Sequence, residues 1–370
     1  MNPVEKVIRK VDATQRRFTP TAFVFGVIKK YGDDNGGVLV SNLAYSSFVS
    51  LFPLLLILYA ILGLIAAHDP SFRESAVKAK NAVASQIPLL GQTLASNVDA
   101  STLQRSSTIG LIVGLVVLIY GVTGLAQAGL FTMAQVWNLP GPARPGYVQR
   151  LGRALLFLCL LGGGVIVTTG LASLRQSTYL QNYKGFWFDL LIYVVIAAFG
   201  AGMYLGAFRA LTPKGVPTRS LLPGAITGGI LWTVLQLLSA WLVHRFLHSN
   251  SAYGVFASVL GLLAWIYLAI EITVYSAEIN VVLARRLWPR SIVQPPLIEA
   301  DRASMALQAL QNQRRPEQHI QVTFDDRPPG APQPASTPQT PDEVAPPAPV
   351  PELRSEPDRS SASDRAQRGG

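Results

Sequence analysis

Hydrophobic positions in this chain fall first into helical stripes and then into runs too long for a soluble fold. Residues 3–17 place Val4, Val7, Ile8 and Val11 on one helical face, with Lys6, Arg9, Lys10, Arg16 and Arg17 around the remainder. That is the pattern of a helix lying in a membrane interface. A second short helix is predicted from the Thr19-Pro20 start to Tyr31, with Phe23, Val27 and Tyr31 stacked at four-residue spacing. The glycines, aspartates and asparagine of 32–37 then break it. Six apolar windows follow, at about 38–66, 108–133, 151–174, 188–211, 221–244 and 253–284. Each is long enough to cross a hydrocarbon core of about 30 Å at about 1.5 Å per residue. The expected fold class is therefore all-α, a polytopic membrane helix bundle with six transmembrane helices. The longest connection, 68–105, carries a helical stripe of Phe72, Ala76, Ala79, Val83 and Ile87 ending at Pro88, and is expected to pack across the outer face.

Composition agrees with this pattern and explains the charge. The 370 residues are 49% hydrophobic and 14% charged, a balance that leaves a soluble domain too little polar surface. The formal net charge of +10 invites a nucleic-acid reading, but the basic residues cluster beside the apolar windows, where membrane orientation places them. Sixteen Lys and Arg, from Lys6 to Lys30 and then Arg144, Arg150, Arg153, Arg209, Lys214, Arg219, Arg285, Arg286 and Arg290, fall on one side. Seven fall on the other: Arg73, Lys78, Lys80, Arg105, Arg175, Lys184 and Arg245. The richer side is expected to be cytoplasmic, with both termini on it. No cleavable signal is expected, because more than thirty residues precede the first apolar run. The single cysteine, Cys159, excludes an internal disulfide.

Three regions follow from this reading. Residues 1–37 form cytoplasmic basic amphipathic helices suited to anionic lipid, and 38–290 form the six-span domain. Residues 291–370 are expected to be a disordered proline-rich tail, since fourteen of the 26 prolines lie from Pro295 onward. Within that tail, Met305, Leu307 and Leu310 allow one short amphipathic helix over 299–312.

Polar residues inside the windows are the candidates for function. Asn42, Ser46 and Ser50 repeat every four residues in the first window, beside Ser41 and Tyr45, and Pro53 follows. Pro53 removes a backbone hydrogen bond, so a kink is expected between a polar and an apolar half. The stripe either lines a cavity or bonds to neighbouring helices. Glu271 and Glu278 lie seven residues apart in the last window, nearly on one face, with Tyr275 between them. An ionisable group at mid-membrane marks a functional site by default. By depth Glu271 is the deeper of the two, whereas Glu278 is expected at the interface, paired with Arg285 or Arg286. His244 and His248 have a spacing that could share a metal, but no third ligand is near, and a wetted helix end is the simpler expectation. Gln127, Gln135 and Gln236 are read as hydrogen-bonding partners between spans. Gly110/Gly114, Gly202/Gly206 and Gly224/Gly228 match small-xxx-small spacing, which serves either a homo-oligomer face or packing within one bundle.

Enzymatic chemistry lacks its usual groups. Four histidines are scattered over the chain, and there is no G-x-x-x-x-G-K-[ST], G-x-S-x-G or C-x-x-C. No enzyme activity, cofactor, metal or nucleic-acid partner is expected.

Three segments together resemble the YihY / virulence factor BrkB family of bacterial integral membrane proteins. They are Ser41-Asn42-Leu43-Ala44-Tyr45 leading into Leu51-Phe52-Pro53-Leu54-Leu55-Leu56, then Leu222-Pro223-Gly224-Ala225, and finally Tyr253-Gly254 with Trp265-Ile266-Tyr267 and Ala277-Glu278-Ile279-Asn280. The pattern departs at Ser276, where that family usually shows Gly before Ala-Glu. The resemblance covers about 20–290 and implies a six-span protein of the bacterial inner or plasma membrane, from a family once labelled ribonuclease BN. Nothing in these residues supports that label. The resemblance also draws attention to Glu278 and Asn280. The function expected is a transporter or exporter of a lipid-like or amphipathic substrate. Its cytoplasm-facing polar cavity would lie between the first window (Asn42, Tyr45, Ser46, Ser50, Pro53) and the last (Glu271, Glu278, Asn280), with Glu271 as the titrating group of a proton-coupled cycle. The alternative is a non-transporting scaffold that binds partner proteins or anionic lipids.

Overall fold

The computed structural model describes residues 3–51, 108–141, 186–212, 215–246, 254–294 and 297–324, with positions 149, 152, 153 and 156. The described elements are helices: α1 (Pro3–Arg17), α2 (Thr19–Asp33), α3 (Gly36–Leu51), α4 (Thr108–Val136), α5 (Phe186–Leu211), α6 (Leu222–Phe246), α7 (Gly254–Arg285) and α8 (Glu299–Gln311). A 3-10 turn, Thr218–Leu221, precedes α6. Among the described residues there is no strand, and the fold is an all-α membrane helix bundle. Three stretches, Leu190–Leu211, Thr218–Leu238 and Val259–Arg285, are long and apolar enough to cross a membrane.

Helices α4 to α7 lie on the expected windows to within a few residues, and α3 starts two residues before the first. Pro53, the stripe of 68–105, His248 and most of 151–174 lie outside the described residues, as does the chain beyond 324.

The spans are apolar on both sides, as lipid requires. Leu190, Leu191, Val194 and Val195 of α5, Ile230 and Val234 of α6, and Leu260 and Leu268 of α7 are exposed. In water such faces would be covered, whereas hydrocarbon accepts them. The packed core gathers at one end, where Val40, Met133, Val136, Phe208, Leu221 and Val281 are buried from five helices or their junctions. A smaller cluster joins Ala44 of α3 to Leu262 and Ile266 of α7.

Glycine sets the closest approaches. A methyl group on Gly224 would overlap the Ser276 carbonyl oxygen of α7, and one on Gly229 would lie 2.7 Å from the Ala197 carbonyl oxygen of α5. A methyl on Gly228 would lie 2.8 Å from the Tyr204 ring. Gly224 and Gly228 therefore serve packing inside this bundle.

The polar end of the bundle is capped by α1, α2, the segment 286–294 and α8. Here the sequence expectation needs correction. Residues 291–312 were assigned to the tail, yet α8 is folded against the bundle, with Ala300, Asp301 and Ser304 buried and Leu307 packed on the main core. The helix itself was expected at 299–312; its docking was not, because its apolar stripe is short and buried polar bonds supply what apolar area does not. Residues 317–324 belong to a unit separate from the bundle.

Candidate functional site

The polar end holds two linked networks of buried charge. The outer one centres on Asp301 of α8, whose side chain is fully buried. One oxygen accepts from Arg290 Nε at 2.5 Å and from Lys29 Nζ at 3.0 Å, and the other accepts from the Ser291 hydroxyl at 2.6 Å. Arg290 also reaches Asp33 at 2.7 Å, and Gln308 of α8 donates to the Asp33 carbonyl at 2.9 Å. Burial alone would raise the Asp301 carboxyl, but bonds from Ser291, Arg290 and Lys29 outweigh it and hold the group at about 2. Asp12 fastens α1 to the same assembly by accepting the Ile292 N–H at 2.8 Å and pairing with Arg16 at 2.7 Å.

The inner network starts at Lys30 of α2, which has no solvent exposure. Its ammonium donates to Asp34 and, at 3.1 Å, to the Val136 carbonyl at the end of α4, and stands 3.5 Å from Glu278 of α7. Asn138 donates to Asp34 at 3.0 Å and to Gln311 of α8 at 3.1 Å, while Gln311 donates in turn to Gln135. A continuous polar path thus runs from Glu278 through Lys30, Asp34 and Asn138 to α8. The turn that makes this possible is local. Asp34 and Asn35 end α2, Asn35 takes φ 55°, and α3 starts at Gly36, so Asp34 sits one helical turn beyond Lys30.

The eight sequence candidates separate into groups. Glu278 and Asn280 are buried in the inner region. Glu278 does not pair with Arg285 or Arg286 as expected: Lys30 is its cation, Arg285 donates to the Trp137 carbonyl at 2.9 Å, and Arg286 is exposed. The expected pairing looked only along the chain, whereas the partner comes from α2. Among the described residues neither oxygen of Glu278 has a hydrogen-bond partner. Asn280 accepts the Gly224 N–H at 2.7 Å, satisfying one of the free donors at the start of α6 from a different helix. Pro223, which has no N–H, removes another. The segments Leu222-Pro223-Gly224-Ala225 and Ala277-Glu278-Ile279-Asn280 are therefore two halves of one joint.

Glu271 is half-buried two turns before Glu278. Tyr31 of α2 stacks on Tyr275 with ring centroids 4.2 Å apart, and its hydroxyl is pushed up to about 12, first by burial and then by the negative charge of Glu271. On α3, Asn42 is exposed, Tyr45 is 67% exposed and Ser46 is half-buried. Ser50 is buried and donates to the Gly121 carbonyl of α4 at 2.7 Å, an interhelical bond of the kind the spacing allowed. Gln135 also bonds, although to α8 and not to a span. Among the described residues no group of three His, Cys, Asp or Glu is placed to hold a metal ion.

Sequence reasoning missed Lys30, Asp34, Asn138 and Gln311 as site residues. The signal was present in Lys29-Lys30 followed by Asp33-Asp34, two i,i+4 pairs side by side, of which one was bound to turn inward.

Comparison with known proteins follows the same segments. The virulence factor BrkB family profile matches residues 27–295. A UPF0761 membrane protein of Pseudomonas paraeruginosa is 25% identical over 267 residues, covering 69% of this chain and 61% of that protein. The inner membrane protein YhjD of Escherichia coli is 24% identical over 290 residues, covering 74% and 84%. The match spans about six-tenths of the length of the Pseudomonas relatives. No solved structure matches.

Proposed function

We propose, from the premise that this chain belongs to the virulence factor BrkB family of membrane proteins, that it is a transporter or exporter whose substrate path opens at the polar end. One observation carries the reading. Glu278 lies inside an apolar span with no solvent exposure, against a lysine from another element. An ionisable group in such a place is expensive and is retained where it has a task. The polar end is the cytoplasmic side, which carries the excess of Lys and Arg, and the name of the Escherichia coli relative supports an inner-membrane placement. Both termini lie on that side, and the chain crosses six times.

In this reading Asn42, Tyr45 and Ser46 form the wall of the path on α3, with Ser50 at its deeper end and Glu271 and Glu278 opposite. An amphipathic substrate suits such a wall, because one side of the path is polar and the flanking helix faces are apolar. The exposed Val7, Ile8 and Val11 of α1 rest on the inner leaflet, and Lys6 and Lys10 meet anionic headgroups. The chain itself performs no catalysis.

The test is to extract the protein with its native bilayer and identify co-purifying small molecules by mass spectrometry. An amphiphile enriched over the bulk lipid, and lost in Tyr45→Ala or Glu278→Gln, supports transport. Bulk lipid alone from every preparation, with partner proteins recovered through α1 or α8, overturns it in favour of a scaffold.

A further inference from the structure

We propose that Glu278 carries a single exchangeable proton, in a closed site formed by Lys30, Asp34 and the end of α4 and covered by α8. The argument is one of charge and partners. Lys30 directs its ammonium to Asp34 and to the Val136 carbonyl, and only approaches Glu278, at 3.5 Å. Two buried carboxylates therefore share one buried ammonium. Among the described residues neither oxygen of Glu278 receives a hydrogen bond. A bare carboxylate is not tolerated in such surroundings, whereas the neutral acid is.

Every element packed around Glu278 adds its own groups. From its own helix come Glu271, Tyr275 and Arg285, the first and last each seven residues away or about 10.5 Å along the axis. Glu271 adds a second acidic group, not a cation, and Arg285 is committed to the Trp137 carbonyl. From α2 come Lys30 and Tyr31, and from the turn after it Asp34, which Asn138 also binds. From α6 the Gly224 N–H is already taken by Asn280. From α8 Gln311 reaches the site through Asn138. Among the described residues none of these supplies a cation in hydrogen-bond contact with Glu278.

The step is simple and balanced. The O–H bond of the Glu278 carboxylic acid breaks, the proton passes to water on the side that has opened, and the carboxylate is stabilised when Lys30 moves from Asp34 toward it. Nothing is oxidised or reduced. Lys30 and Asn138 hold the two different oxygens of Asp34. When Lys30 leaves, the carboxylate loses one of its two anchors and is free to turn with Asn138 away from Gln311, so loss of the proton loosens α8. This deepens the transport reading by naming the coupling ion, and rests on that reading only for net flow, since proton binding is measurable without it.

The full chain in lipid nanodiscs, titrated with pH and followed by infrared difference spectroscopy, tests the site. The expected result is a carboxylic-acid C=O band that disappears as pH rises, is lost in Glu278→Gln, shifts in Glu278→Asp and persists in Glu271→Gln. Spin labels at Ile28→Cys and Glu299→Cys, in a Cys159→Ser background, report α8. Their distance is expected to lengthen over the same pH range and to stay constant in Glu278→Gln. A spectrum with no band assignable to Glu278, or a band unchanged across the titration, overturns the exchangeable proton. A titrating band with an unmoved α8 overturns its role as cover. A titrating band without proton-driven flux in sealed vesicles supports this proposal and overturns the transport reading.

Discussion

Gly224 and Ser276 meet at the α6–α7 joint, and they predict opposite responses to small substitutions. Adding a methyl in Gly224→Ala drives it into the Ser276 backbone carbonyl, which no side-chain rotation relieves. Overpacking of this kind costs about 1–3 kcal/mol, so the variant should unfold at lower denaturant than wild type in a detergent titration. Removing the acceptor in Asn280→Ala leaves the Gly224 N–H buried and unpaired, for a loss of about 1–2 kcal/mol. Ser276→Ala should do the reverse of Gly224→Ala. The Ser276 hydroxyl is buried without a partner among the described residues, so deleting it should leave stability unchanged or raise it by up to about 1 kcal/mol. A marked loss of stability in Ser276→Ala would show that the hydroxyl has a partner. These residues also mark how far sequence reading reached. Glu278 and Asn280 were singled out, but their partners were not, because Lys30 and Gly224 lie far away in sequence and nothing in local spacing announces them. Local spacing pointed to Arg285 and Arg286, the wrong cations.

At the scale of elements, the helices were legible and the docking of α8 was not. Long uncharged runs have one physical outcome in lipid, so α4 to α7 fall on their expected windows. The stripe of α8 was visible too, but its docking depends on Asp301, one acidic residue among many in a proline-rich region. That residue now yields a pH prediction. Its folded carboxyl sits at about 2, below the ordinary 3.8. The stability it lends α8 is therefore complete above the ordinary value and fades as pH falls from 3.8 toward 2. Amide hydrogen exchange in α8, corrected for intrinsic rates, should stay slow at pH 5 and accelerate across that acid window. In Asp301→Asn the docking should be weaker above pH 3.8 by about 1–3 kcal/mol, and the acid step assigned to this residue should vanish. Equal acid responses in wild type and variant would show that another carboxylate controls the cap. The helix α1 gives a second element-scale expectation. A fluorophore at Val7→Cys should report a less polar setting in anionic than in zwitterionic nanodiscs, a difference that Lys6→Glu with Lys10→Glu and added salt should both remove.

For the whole molecule, contacts at the polar end set the parity of membrane crossings. Lys29 and Asp33 of α2 bind Asp301 and Arg290, so the chain before the first span and the chain after the last meet at one end of the bundle. An even number of crossings must separate them. The ends of α4, α5 and α7 are at that same end, because Val136, Phe208 and Val281 share its core, and the start of α6 joins them through Gly224 and Asn280. Arg153 is there as well, donating to the Thr212 carbonyl just past α5. Phe186, by contrast, begins α5, a helix of 26 residues and hence about 39 Å from its other end. Arg153 and Phe186 therefore lie by opposite ends of α5. The six crossings proposed above are an even number, as the contact between α2 and α8 requires, whereas five would contradict it. The prediction is that single cysteines at Arg153 and Trp187, in a Cys159→Ser background, label from opposite sides of sealed vesicles. Cysteines at Ile28 and Glu299 should label from the Arg153 side. Labelling of Arg153 and Trp187 from the same face would break the parity and, with it, the placement of Glu278 at the cytoplasmic mouth.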